Sequence, residues 1–448
     1  MFNISAEAKT AIYILEAAGY KAYLAGGCVR DLIMGSEPHD WDIATSAEPF
    51  TTREIFEKAG YRTVCTGISH GTVTAVINKV NLEITTFRQE TGYSDHRRPD
   101  SVMFVKSPEE DVKRRDFTIN GILYNPSEGI LDYNGGIEDI KNGIIRCIGD
   151  PDKRFSEDAL RIMRAMRFAS ALGFTIEKET SDSMIRNRNL LNEISMERKA
   201  AELTKLLLGK DVKFILYEYS SVLTSVIPEI RHMIGFEQNN PHHCYDVWIH
   251  TIEAVAAVPA DPVLRLTMLL HDIGKPDSCT MDSYGINHFF RHPGRSASMA
   301  RNILSYLRYP GDVIDKVCTL ITYHDYRFYP DRKNVKKLLN RIGEECFRLL
   351  LEVRRADISA QNPDYSKEKF ELIEETRRVL EEVIEENQCF SLKDLKISGK
   401  DLLESGFSQG KHLGYVLDIL LNMVINEEIP NERDILLENA QKIKKRAD

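Results

Sequence analysis

The 448-residue sequence lacks the long hydrophobic runs that predict a membrane protein. Its longest apolar stretches, such as residues 263–270 with Arg265 among them, stop well short of the roughly 20 residues that a membrane-spanning helix needs. The first ten residues also lack the basic start and apolar run of a secretory signal. We therefore expect a protein with no membrane attachment that stays in the cytoplasm.

Closely spaced cysteines are absent as well. The eight cysteines are at positions 28, 65, 147, 244, 279, 318, 346 and 389, and none forms a C-x-x-C pair. This spacing fits neither a disulfide framework nor a zinc ribbon. We expect reduced thiols that are mostly packed inside the fold.

An excess of basic residues is also missing, since 59 Lys and Arg against 68 Asp and Glu give a net charge of −9. This balance argues against a protein that coats nucleic acid indiscriminately. Residues 141–170 nevertheless form a locally basic region that can hold phosphates. With 42% apolar and 28% charged residues, most of the chain is expected to fold, as roughly two to four domains.

The hydrophobic periodicity changes near residue 145. Before it, an amphipathic helix over residues 5–18 is followed by short β-rich runs and one helical segment, which predicts an α+β domain. After it the pattern is helical almost to the end, and Ser156 is a candidate N-cap for the first long helix. Breaks at residues 239–241 and 361–364 predict a separate central segment.

The motif YLAGGCVRD places a strand, then Gly26 and Gly27, then Arg30 at the start of a predicted helix. Two glycines allow the backbone to approach a triphosphate closely, and amides at the start of a helix face an anion. An arginine can form paired hydrogen bonds with phosphate oxygens. The motif alone also fits an ordinary turn, so its meaning depends on the next residues of the chain.

Two aspartates come next, in the motif DWD. Asp40 and Asp42 are two residues apart on the predicted next strand, so their side chains are expected on one face. There they can share a divalent metal that activates an attacking hydroxyl and stabilises leaving pyrophosphate. Glu83 is a candidate third carboxylate.

Four motifs stand in a fixed order over about 150 residues. They are GGCVRD with DWD, then KRRDFTIN (113–120), DYNGGIEDI (132–140) and SEDALRIMRAMRFAS (156–170). In this order the sequence resembles the polymerase-beta-like nucleotidyltransferases, and more closely the class II tRNA nucleotidyltransferases, the CCA-adding enzymes. The resemblance implies Mg²⁺ at Asp40 and Asp42.

The last motif suggests how a base would be chosen without a template. Cytosine and adenine each present a donor beside an acceptor on the pairing edge, which an aspartate next to an arginine complements, whereas uracil and guanine present the reverse. The resemblance assigns this role to Asp158 and Arg161, expected three apart on one helix, with Glu157 supporting the arginine. It also implies further nucleotide contacts from Arg115, Arg164 and Arg167.

A segment between the last strand and KRRDFTIN, residues 88–111, corresponds to a flexible loop of this family. Full CCA-adding enzymes retain this loop, and relatives that add only CC lack it. Its presence favours addition of the terminal A, although relatives that add only A also retain it. Addition of CCA, of CC or of A alone therefore stays open.

A second group of residues is rich in histidine. It runs in the order H…HD…H…H…D, as His250, His271, Asp272, His292, His324 and Asp357. Imidazole and carboxylate ligands suit Mn, Fe, Co, Ni or Zn, and the series resembles the HD phosphohydrolases, with His292 and His324 at the additional positions of their two-metal branch. The remaining histidines of the region are expected to be ordinary surface or core residues, namely His242, His243 and His288.

Together the motifs predict an α+β fold with a mixed-sheet nucleotidyltransferase head over residues 1–145. Mostly helical domains would follow: a neck and body (146–238), an HD domain (239–365) and a tRNA-binding tail (366–448). The resemblance implies addition of C, C and A to tRNA from CTP and ATP, with an HD activity on RNA ends. Alternatives are a poly(A) polymerase and an HD nucleotide phosphohydrolase with a degenerate head, and the sequence does not indicate an oligomeric state.

Overall fold

We describe the chain from a computed structural model, which covers residues 2–65, 67–68, 71–92 and 101–447. The chain divides into two compact units between Arg231 and His232. The predicted boundary at residues 238 and 239 lies close to this division, and the finer boundaries stay predictions. None of the helices in the covered ranges combines the length and the apolar character that crossing a bilayer requires.

The first unit is built around a mixed sheet of seven strands. The strands of this unit are β1 (Ala22–Ala25), β2 (Asp42–Thr45), β3 (Arg62–Val64), β4 (Thr72–Ile77), β5 (Val80–Thr86), β6 (Arg88–Thr91), β7 (Ser101–Phe104), β8 (Leu123–Asn125), β9 (Gly129–Leu131), β10 (Ile144–Ile145) and β11 (Thr175–Ile176). The sheet has the order β3-β4-β5-β2-β1-β8-β9, and within it only β2 and β5 pair in parallel. This confirms the predicted mixed-sheet domain.

Helices cover the sheet and continue the chain beyond it. They are α1 (Ala6–Ala17), α2 (Gly27–Ile33), α3 (Pro49–Lys58), α4 (Pro108–Lys113), α5 (Gly136–Asn142), α6 (Pro151–Glu157), α7 (Leu160–Leu172), α8 (Lys178–Asn187), α9 (Met196–Leu207), α10 (Val212–Glu218) and α11 (Ser220–Leu223), with 3₁₀ turns at Thr118–Asn120, Arg188–Glu193 and Pro228–His232. The Ser5 hydroxyl caps α1 by accepting the Ala8 amide at 3.1 Å. Under the sheet, Tyr23, Phe87 and Leu123 belong to one buried apolar cluster.

The segment 88–111, expected to be a flexible loop, contains paired strands. β6 and β7 form an antiparallel ladder that runs from Arg88 opposite Phe104 to Thr91 opposite Ser101. The middle of the segment, residues 93–100, lies outside the described residues. The base of the expected loop is therefore fixed by main-chain hydrogen bonds.

The helical run predicted from Ser156 is interrupted at Asp158. Ser156 lies inside α6, whose N-cap is Asp150, so the predicted cap was wrong. Asp158 has an extended backbone, with φ −140° and ψ 101°, and its carboxylate accepts the Leu160 amide at 3.1 Å. Aspartate favours such local bonds over a helical position, and α7 begins only after it.

The second unit is helical apart from one hairpin. It contains α12 (Val247–Ala257), α13 (Pro262–Leu270), α14 (Lys275–Ser278), β12 (Cys279–Met281), β13 (Asn287–Phe289), α15 (His292–Tyr306), α16 (Gly311–Tyr323), α17 (Arg332–Ser359), α18 (Lys367–Glu385), α19 (Gly399–Glu404), α20 (Lys411–Ile425) and α21 (Arg433–Ala447), with 3₁₀ turns at Pro363–Tyr365 and Leu392–Asp394. Helix α13 is buried from Leu264 to Leu270 and leads directly into His271. A separate apolar core forms within residues 389–440. The mostly helical second half agrees with the prediction.

Candidate functional site

A cleft in the first unit gathers the residues predicted for nucleotide transfer. Its volume is about 660 Å³. All ten predicted residues line it: Gly26, Gly27, Arg30, Asp40, Asp42, Arg115, Asp158, Arg161, Arg164 and Arg167. The motifs are spread over more than 140 residues of sequence, so the fold brings them to one place.

The turn between β1 and α2 requires glycine. Gly26 has φ +77°, a conformation that other residues rarely adopt. A Cβ atom at this position would lie 3.3 Å from Arg115 Nη1 and 4.0 Å from Asp42 Oδ2. The glycine therefore leaves space in the cleft between the arginine and the aspartate.

Asp42 opens β2, whereas Asp40 lies in the bend before the strand. The expectation that both lie on one strand was wrong. Strand β2 begins only at Asp42 because β1 ends at Ala25 and the chain turns away at Gly26, so the residues before Asp42 have no partner in β1. Both carboxylates nevertheless line the same cleft.

The surroundings of Asp42 disfavour its charge. The side chain is exposed to solvent and lines the cleft, where neighbouring protein atoms reduce its hydration. The pKa of Asp42 is raised to about 6, mainly by desolvation and next by Glu83, its neighbour in the parallel register, while Arg115 opposes the rise. Such a carboxylate gains by binding a cation.

Asp40 and Asp42 fit a magnesium ion by their chemistry. No side chain in the described ranges engages either carboxylate in a hydrogen bond or ion pair, and Mg²⁺ prefers such oxygen ligands. Glu83 is less suited to be a third ligand. Among the described residues, it does not belong to any group of three ligands whose donor atoms lie within 4.8 Å of one another. The pair, rather than a trio, forms the candidate metal site.

Metal binding by this pair should weaken in acid. Below pH about 6 the Asp42 carboxyl carries a proton in the metal-free protein, and a cation must displace that proton. We expect Mg²⁺ affinity to be level above pH 7 and to fall about tenfold per pH unit below pH 6. Calorimetric titration of an Asp272→Ala protein, which excludes the second unit's cluster, measures this, and an affinity equal at pH 5 and pH 7 would contradict it.

Arg115 is oriented by the buried Asp111. Arg115 Nη2 donates to Asp111 Oδ2 at 3.0 Å, while Arg114 Nη2 lies 2.7 Å from Oδ1. Burial would raise the pKa of Asp111, but Arg115 and Arg114 outweigh it and hold the pKa below its ordinary value. Arg114 also pairs with Glu90 on β6, which connects the base of the 88–111 segment to the cleft.

Asp158 and Arg161 both reach the cleft, although only Arg161 lies on α7. Arg161 is buried, and its Nη1 donates to Glu157 Oε2 at 2.8 Å while its Nη2 donates to the Arg114 carbonyl at 3.0 Å. Asp158 Oδ2 accepts from Arg198 Nη2 at 2.9 Å. Asp158 is thus held by Arg198, whereas Arg161 is held by Glu157 and the Arg114 carbonyl.

Three arginines surround the ring of Phe168 at the inner wall of the cleft. The guanidinium carbons of Arg30 and Arg164 each lie 5.3 Å from the ring centroid, and that of Arg167 lies at 3.8 Å. Arg167 also pairs with Glu202 on α9 at 2.7 Å. Guanidinium groups held in this way suit a polyanionic ligand.

Arg164 is fixed by Asp116, whose Oδ2 accepts from Arg164 Nε at 2.8 Å and Nη2 at 2.5 Å. Burial opposes the charge of Asp116, but Arg164 outweighs burial and lowers its pKa to about 2. The pair therefore stabilises the fold above pH 4, and this contribution is lost only as the pH falls towards 2.

Asp116→Asn should lower the free energy of unfolding by about 2 kcal/mol, because a charge-assisted hydrogen bond to a mostly buried arginine is weakened. The loss should be equal at pH 5 and pH 7, since both values lie above the titration of Asp116. Urea unfolding followed by circular dichroism measures it. Asp182→Asn, which removes an exposed pair with Lys178, is the control and should change stability by less than about 0.5 kcal/mol.

Sequence reasoning missed several residues that hold the predicted ones in place. These are Asp111, Asp116, Asn120, Arg198 and Glu202. Asp116 and Asn120 stand inside the motif KRRDFTIN and could have been singled out there. Arg198 and Glu202 lie on α9, where the sequence carries only ordinary helical periodicity.

In the second unit, the six predicted metal ligands are buried and lie together. They come from α12 (His250), the ends of α13 and α16 (His271 with Asp272, and His324), the start of α15 (His292) and α17 (Asp357). Two groups of ligand atoms are close enough to hold an ion each, and both include Asp272.

The first group surrounds one oxygen of Asp272. His271 Nε2 lies 3.2 Å and His250 Nε2 lies 3.4 Å from Asp272 Oδ2, and the two imidazole nitrogens are 3.2 Å apart. Asp357 Oδ1 lies 3.1 Å from His250 Nε2. Four donor atoms thus converge from two helices, α12 and α17, and from the turn after α13.

The second group surrounds the other oxygen. His292 Nε2 and His324 Nε2 lie 3.4 Å and 3.6 Å from Asp272 Oδ1, and 3.1 Å from each other. Within the described part of the chain, neither Asp272 oxygen has a hydrogen-bond donor in proper geometry, although Lys275 Nζ lies 2.7 Å from Oδ2. A buried carboxylate whose two oxygens face two different histidine pairs fits two cations.

Main-chain carbonyls hold all four histidines from behind. The Nδ1 atoms of His250, His271, His292 and His324 lie 3.0, 2.7, 2.8 and 2.7 Å from the carbonyls of Ala360, Met268, Phe289 and Ile321. When Nδ1 donates to these carbonyls, the lone pair of Nε2 points to the centre of the group.

Within the metal-free cluster His271 attracts a proton, whereas burial lowers the pKa of His324. Burial would lower the pKa of His271, but Asp272 and Asp357 outweigh it and raise the pKa to about 10. A metal ion would replace such protons and balance the two carboxylates.

The remaining histidines of this region have three different surroundings. His242 packs its ring on Tyr365, and His288 pairs with Asp282. His243 contacts the ring of His250 and leaves its buried Nδ1 without a partner in the described ranges. His243 and His288 both line a cavity of about 250 Å³ that opens onto the metal ligands.

Three family models match parts of the chain. Residues 22–146 match the "Poly A polymerase head domain", residues 173–233 the "Probable RNA and SrmB- binding site of polymerase A", and residues 288–440 the "tRNA nucleotidyltransferase domain 2 putative". The third match runs across the predicted boundary between residues 365 and 366, which stays a prediction.

Similarity to named proteins extends over almost the whole chain. The chain is 34% identical over 453 residues to a CCA-adding enzyme of Ligilactobacillus salivarius, covering 98% of both chains. It is 34% identical over 441 residues to that of Levilactobacillus brevis, covering 96% of both. A crystal structure of the Bacillus stearothermophilus CCA-adding enzyme in complex with CTP matches with a TM-score of 0.72 at 31% identity, covering 98% of both chains.

Proposed function

The chain belongs to the family of CCA-adding enzymes, and from this membership we propose that its first unit adds C, C and A to the 3′ end of tRNA without a template. The nucleotides would come from CTP and ATP. The observation that carries the proposal is the convergence of all ten predicted residues on one cleft. The resemblance of the motifs and the likeness to full-length relatives support the same reaction.

In the proposed reaction, the terminal 3′ hydroxyl of the tRNA attacks the α-phosphate of the bound nucleotide. A phosphorus–oxygen bond to the tRNA forms, the bond to pyrophosphate breaks, and the hydroxyl proton passes to solvent. Asp40 and Asp42 would hold magnesium, which supplies activation of the hydroxyl and charge neutralisation at the phosphates. Both carboxylates line the cleft, and Asp42 is exposed there, so a bound nucleotide and ion could reach them.

The triphosphate would lie against the arginines of the cleft. Arg30, oriented by Asp31 and by Asn120 at 2.9 Å, and Arg115, oriented by Asp111, would bind its oxygens. Gly26 and Gly27 would let the chain approach closely, and Arg164 and Arg167 beside Phe168 would provide further contacts.

Asp158 and Arg161 would choose the base. The guanidinium of Arg161 is fixed by Glu157 and by two carbonyls, so it can present donors in a set direction. Asp158 would accept from the exocyclic amino group of cytosine or adenine, sharing its carboxylate with Arg198. A fixed acceptor beside a fixed donor favours C and A over U and G.

The helical segments 146–238 and 366–448 are proposed to hold the tRNA by its shape and phosphates. The family match of residues 173–233 to an RNA-binding region supports this for the first segment. We further propose that the protein works in the cytoplasm, because its cysteines are free thiols, as a reducing compartment favours.

One extension assay tests the first function. Transcribed tRNA lacking its last three nucleotides is incubated with CTP, with ATP or with both, and products are resolved by length. We expect two additions with CTP alone and three with both. Long tails from ATP alone would instead indicate a poly(A) polymerase. Products that stop at CC would indicate an enzyme that adds only CC, and a requirement for a tRNA that already ends in CC would indicate an enzyme that adds only the terminal A.

For the second unit we propose a metal-dependent phosphomonoesterase or 2′,3′-cyclic phosphodiesterase acting on RNA ends. The observation that carries it is Asp272, whose two buried oxygens face two pairs of imidazole nitrogens. His250, His271, Asp272 and Asp357 would hold one transition-metal ion, and Asp272, His292 and His324 a second. Bound Mn, Fe, Co, Ni or Zn would supply Lewis-acid activation of water and phosphate.

Removing one ligand should lower both the metal content and the rate of hydrolysis. His271→Ala is expected to reduce bound Ni²⁺ or Mn²⁺, measured by elemental analysis, and to lower phosphate release from 3′-phosphorylated RNA at least a hundredfold. His412→Ala, an exposed histidine on α20, is the control. Hydrolysis without any nucleotide incorporation would point to the alternative, a phosphohydrolase with a degenerate head, whereas a wild-type protein that binds no metal would exclude the hydrolase.

A further inference from the structure

The β12–β13 hairpin brings aromatic side chains to the edge of the metal cluster. The cavity of about 250 Å³ is lined on one side by metal ligands such as Asp272 and His324 and on another by His288, Phe289 and Phe290. Phe290 is 71% exposed. An exposed ring at the rim of a polar, charged cavity differs from the scattered apolar residues common on protein surfaces, because it shares a surface with a candidate site.

The ring of Phe290 forms a fixed surface together with His288. The two rings are stacked, with centroids 5.5 Å apart and an interplanar angle of 10°. His288 is held in turn by Asp282, whose Oδ2 lies 2.9 Å from its Nε2. The other oxygen of Asp282 accepts the amides of Tyr284 and Ile286 at 2.9 and 3.0 Å in the hairpin turn. We refer to the rings of His288 and Phe290 as the aromatic platform.

The aromatic platform and the phosphate-attracting groups lie within the span of one nucleotide. Phe290 stands two residues before the ligand His292, so their Cα atoms are at most about 7 Å apart. The inner part of the cavity contains the ammonium group of Lys275 and the site of the proposed cations. Positive charge at the inner end and a flat ring at the rim complement a phosphate and a nucleobase.

We propose that the aromatic platform stacks the base of the nucleotide whose phosphate is cleaved at the metal cluster. This inference rests on the proposed hydrolase function and names its substrate class, nucleoside 3′-phosphates and 2′,3′-cyclic phosphates at RNA ends, rather than sugar phosphates. Water oxygen bonds to phosphorus, the bond from phosphorus to the ribose oxygen breaks, and the ribose oxygen takes up a proton. Because stacking is tolerant of base identity, all four bases are accepted.

The kinetic test compares two phosphomonoesters of secondary alcohols, 3′-AMP and glycerol 2-phosphate, with the Ni²⁺-loaded full chain. Phe290→Ala should raise the KM for 3′-AMP relative to that for glycerol 2-phosphate roughly 5-fold to 100-fold, which corresponds to about 1 to 3 kcal/mol of stacking. Phe290→Trp should keep the wild-type ratio. Tyr284→Ala removes a ring that is 88% exposed on the same hairpin but does not line the cavity, and it should not change the ratio.

A second measurement does not depend on hydrolysis. Metal-free protein is irradiated with 8-azidoadenosine 3′-phosphate, and labelled peptides are identified by mass spectrometry. We expect label on the peptide that contains Phe290, lost in Phe290→Ala, while label in the first unit's cleft is unchanged and acts as an internal control.

The outcomes separate the two proposals. A labelled hairpin in a protein that hydrolyses no phosphoester would remove the hydrolase and keep the base-stacking surface. An unlabelled hairpin, or a Phe290→Ala protein whose KM values for both substrates rise equally, would overturn the aromatic platform. A ratio restored by Phe290→Trp supports stacking over a purely structural role.

Discussion

Replacing Asp42 with asparagine is expected to lower nucleotide incorporation at least a thousandfold, which corresponds to about 4 kcal/mol of transition-state stabilisation. Asparagine keeps the shape of the side chain but removes the charge that holds a cation. The same change should leave the melting temperature unchanged or slightly raised, because the cleft already disfavours the carboxylate. Primer extension on tRNA and thermal unfolding measure the two effects.

A large loss of incorporation without a loss of stability is expected when a catalytic carboxylate is replaced, whereas replacing a structural carboxylate should lower the melting temperature. Asp272→Asn provides the matched control, since it changes a buried aspartate of the second unit and should keep incorporation while abolishing hydrolysis. Asp42→Asn protein with more than a tenth of wild-type incorporation, or with a clearly lower melting temperature, would contradict the assignment.

Replacing Asp158 with alanine should weaken the discrimination of CTP and ATP against UTP and GTP by about 10- to 100-fold. In the proposed mode of base selection, the aspartate would contribute one of the two hydrogen-bonding groups that read the base, and an unpaired buried group costs about 1 to 3 kcal/mol. The measurement is kcat/KM for each of the four nucleotides on tRNA lacking its 3′ end. The ratio between nucleotides, rather than the overall rate, carries the result.

The control for this experiment is Asp152→Ala, which removes an exposed carboxylate on α6 that pairs with Arg186. It should change no nucleotide ratio. If Asp158→Ala retained wild-type discrimination against UTP and GTP, base choice would have to lie elsewhere in the cleft, and the assignment of Asp158 and Arg161 would be wrong.

Much of the fold could be predicted because its local signals agree with its packing. The alternation in residues 72–77 is that of a half-buried strand, and β4 occupies those residues with every second side chain buried. The errors occurred where a side-chain hydrogen bond or the course of a neighbouring strand decides where a helix or strand begins. Asp158 binds the Leu160 amide and interrupts a helix, and Asp40 precedes β2 because its neighbouring strand turns away at Gly26. Neither effect appears in hydrophobic periodicity.

The residues that line the candidate sites could be predicted from the sequence, whereas the residues that hold them in place could not. The motifs, together with the family resemblance that they carry, selected ten residues that share the first cleft and six that share the second cluster. What the sequence could not indicate were partners far away along the chain, such as Arg198 for Asp158 or Ala360 for His250. These pairings depend on how helices pack, which a single sequence does not encode as a pattern.

The main-chain carbonyl that lies behind each of the four histidines of the proposed metal site has a practical consequence. Main-chain carbonyls orient the imidazoles without any ion. Binding of metal ions is therefore not expected to be coupled to folding, in contrast to small zinc modules that fold only around their ion. Chelation should therefore strip the ions without melting the surrounding helices. Preparations grown in different media would then be equally well folded while carrying different metals.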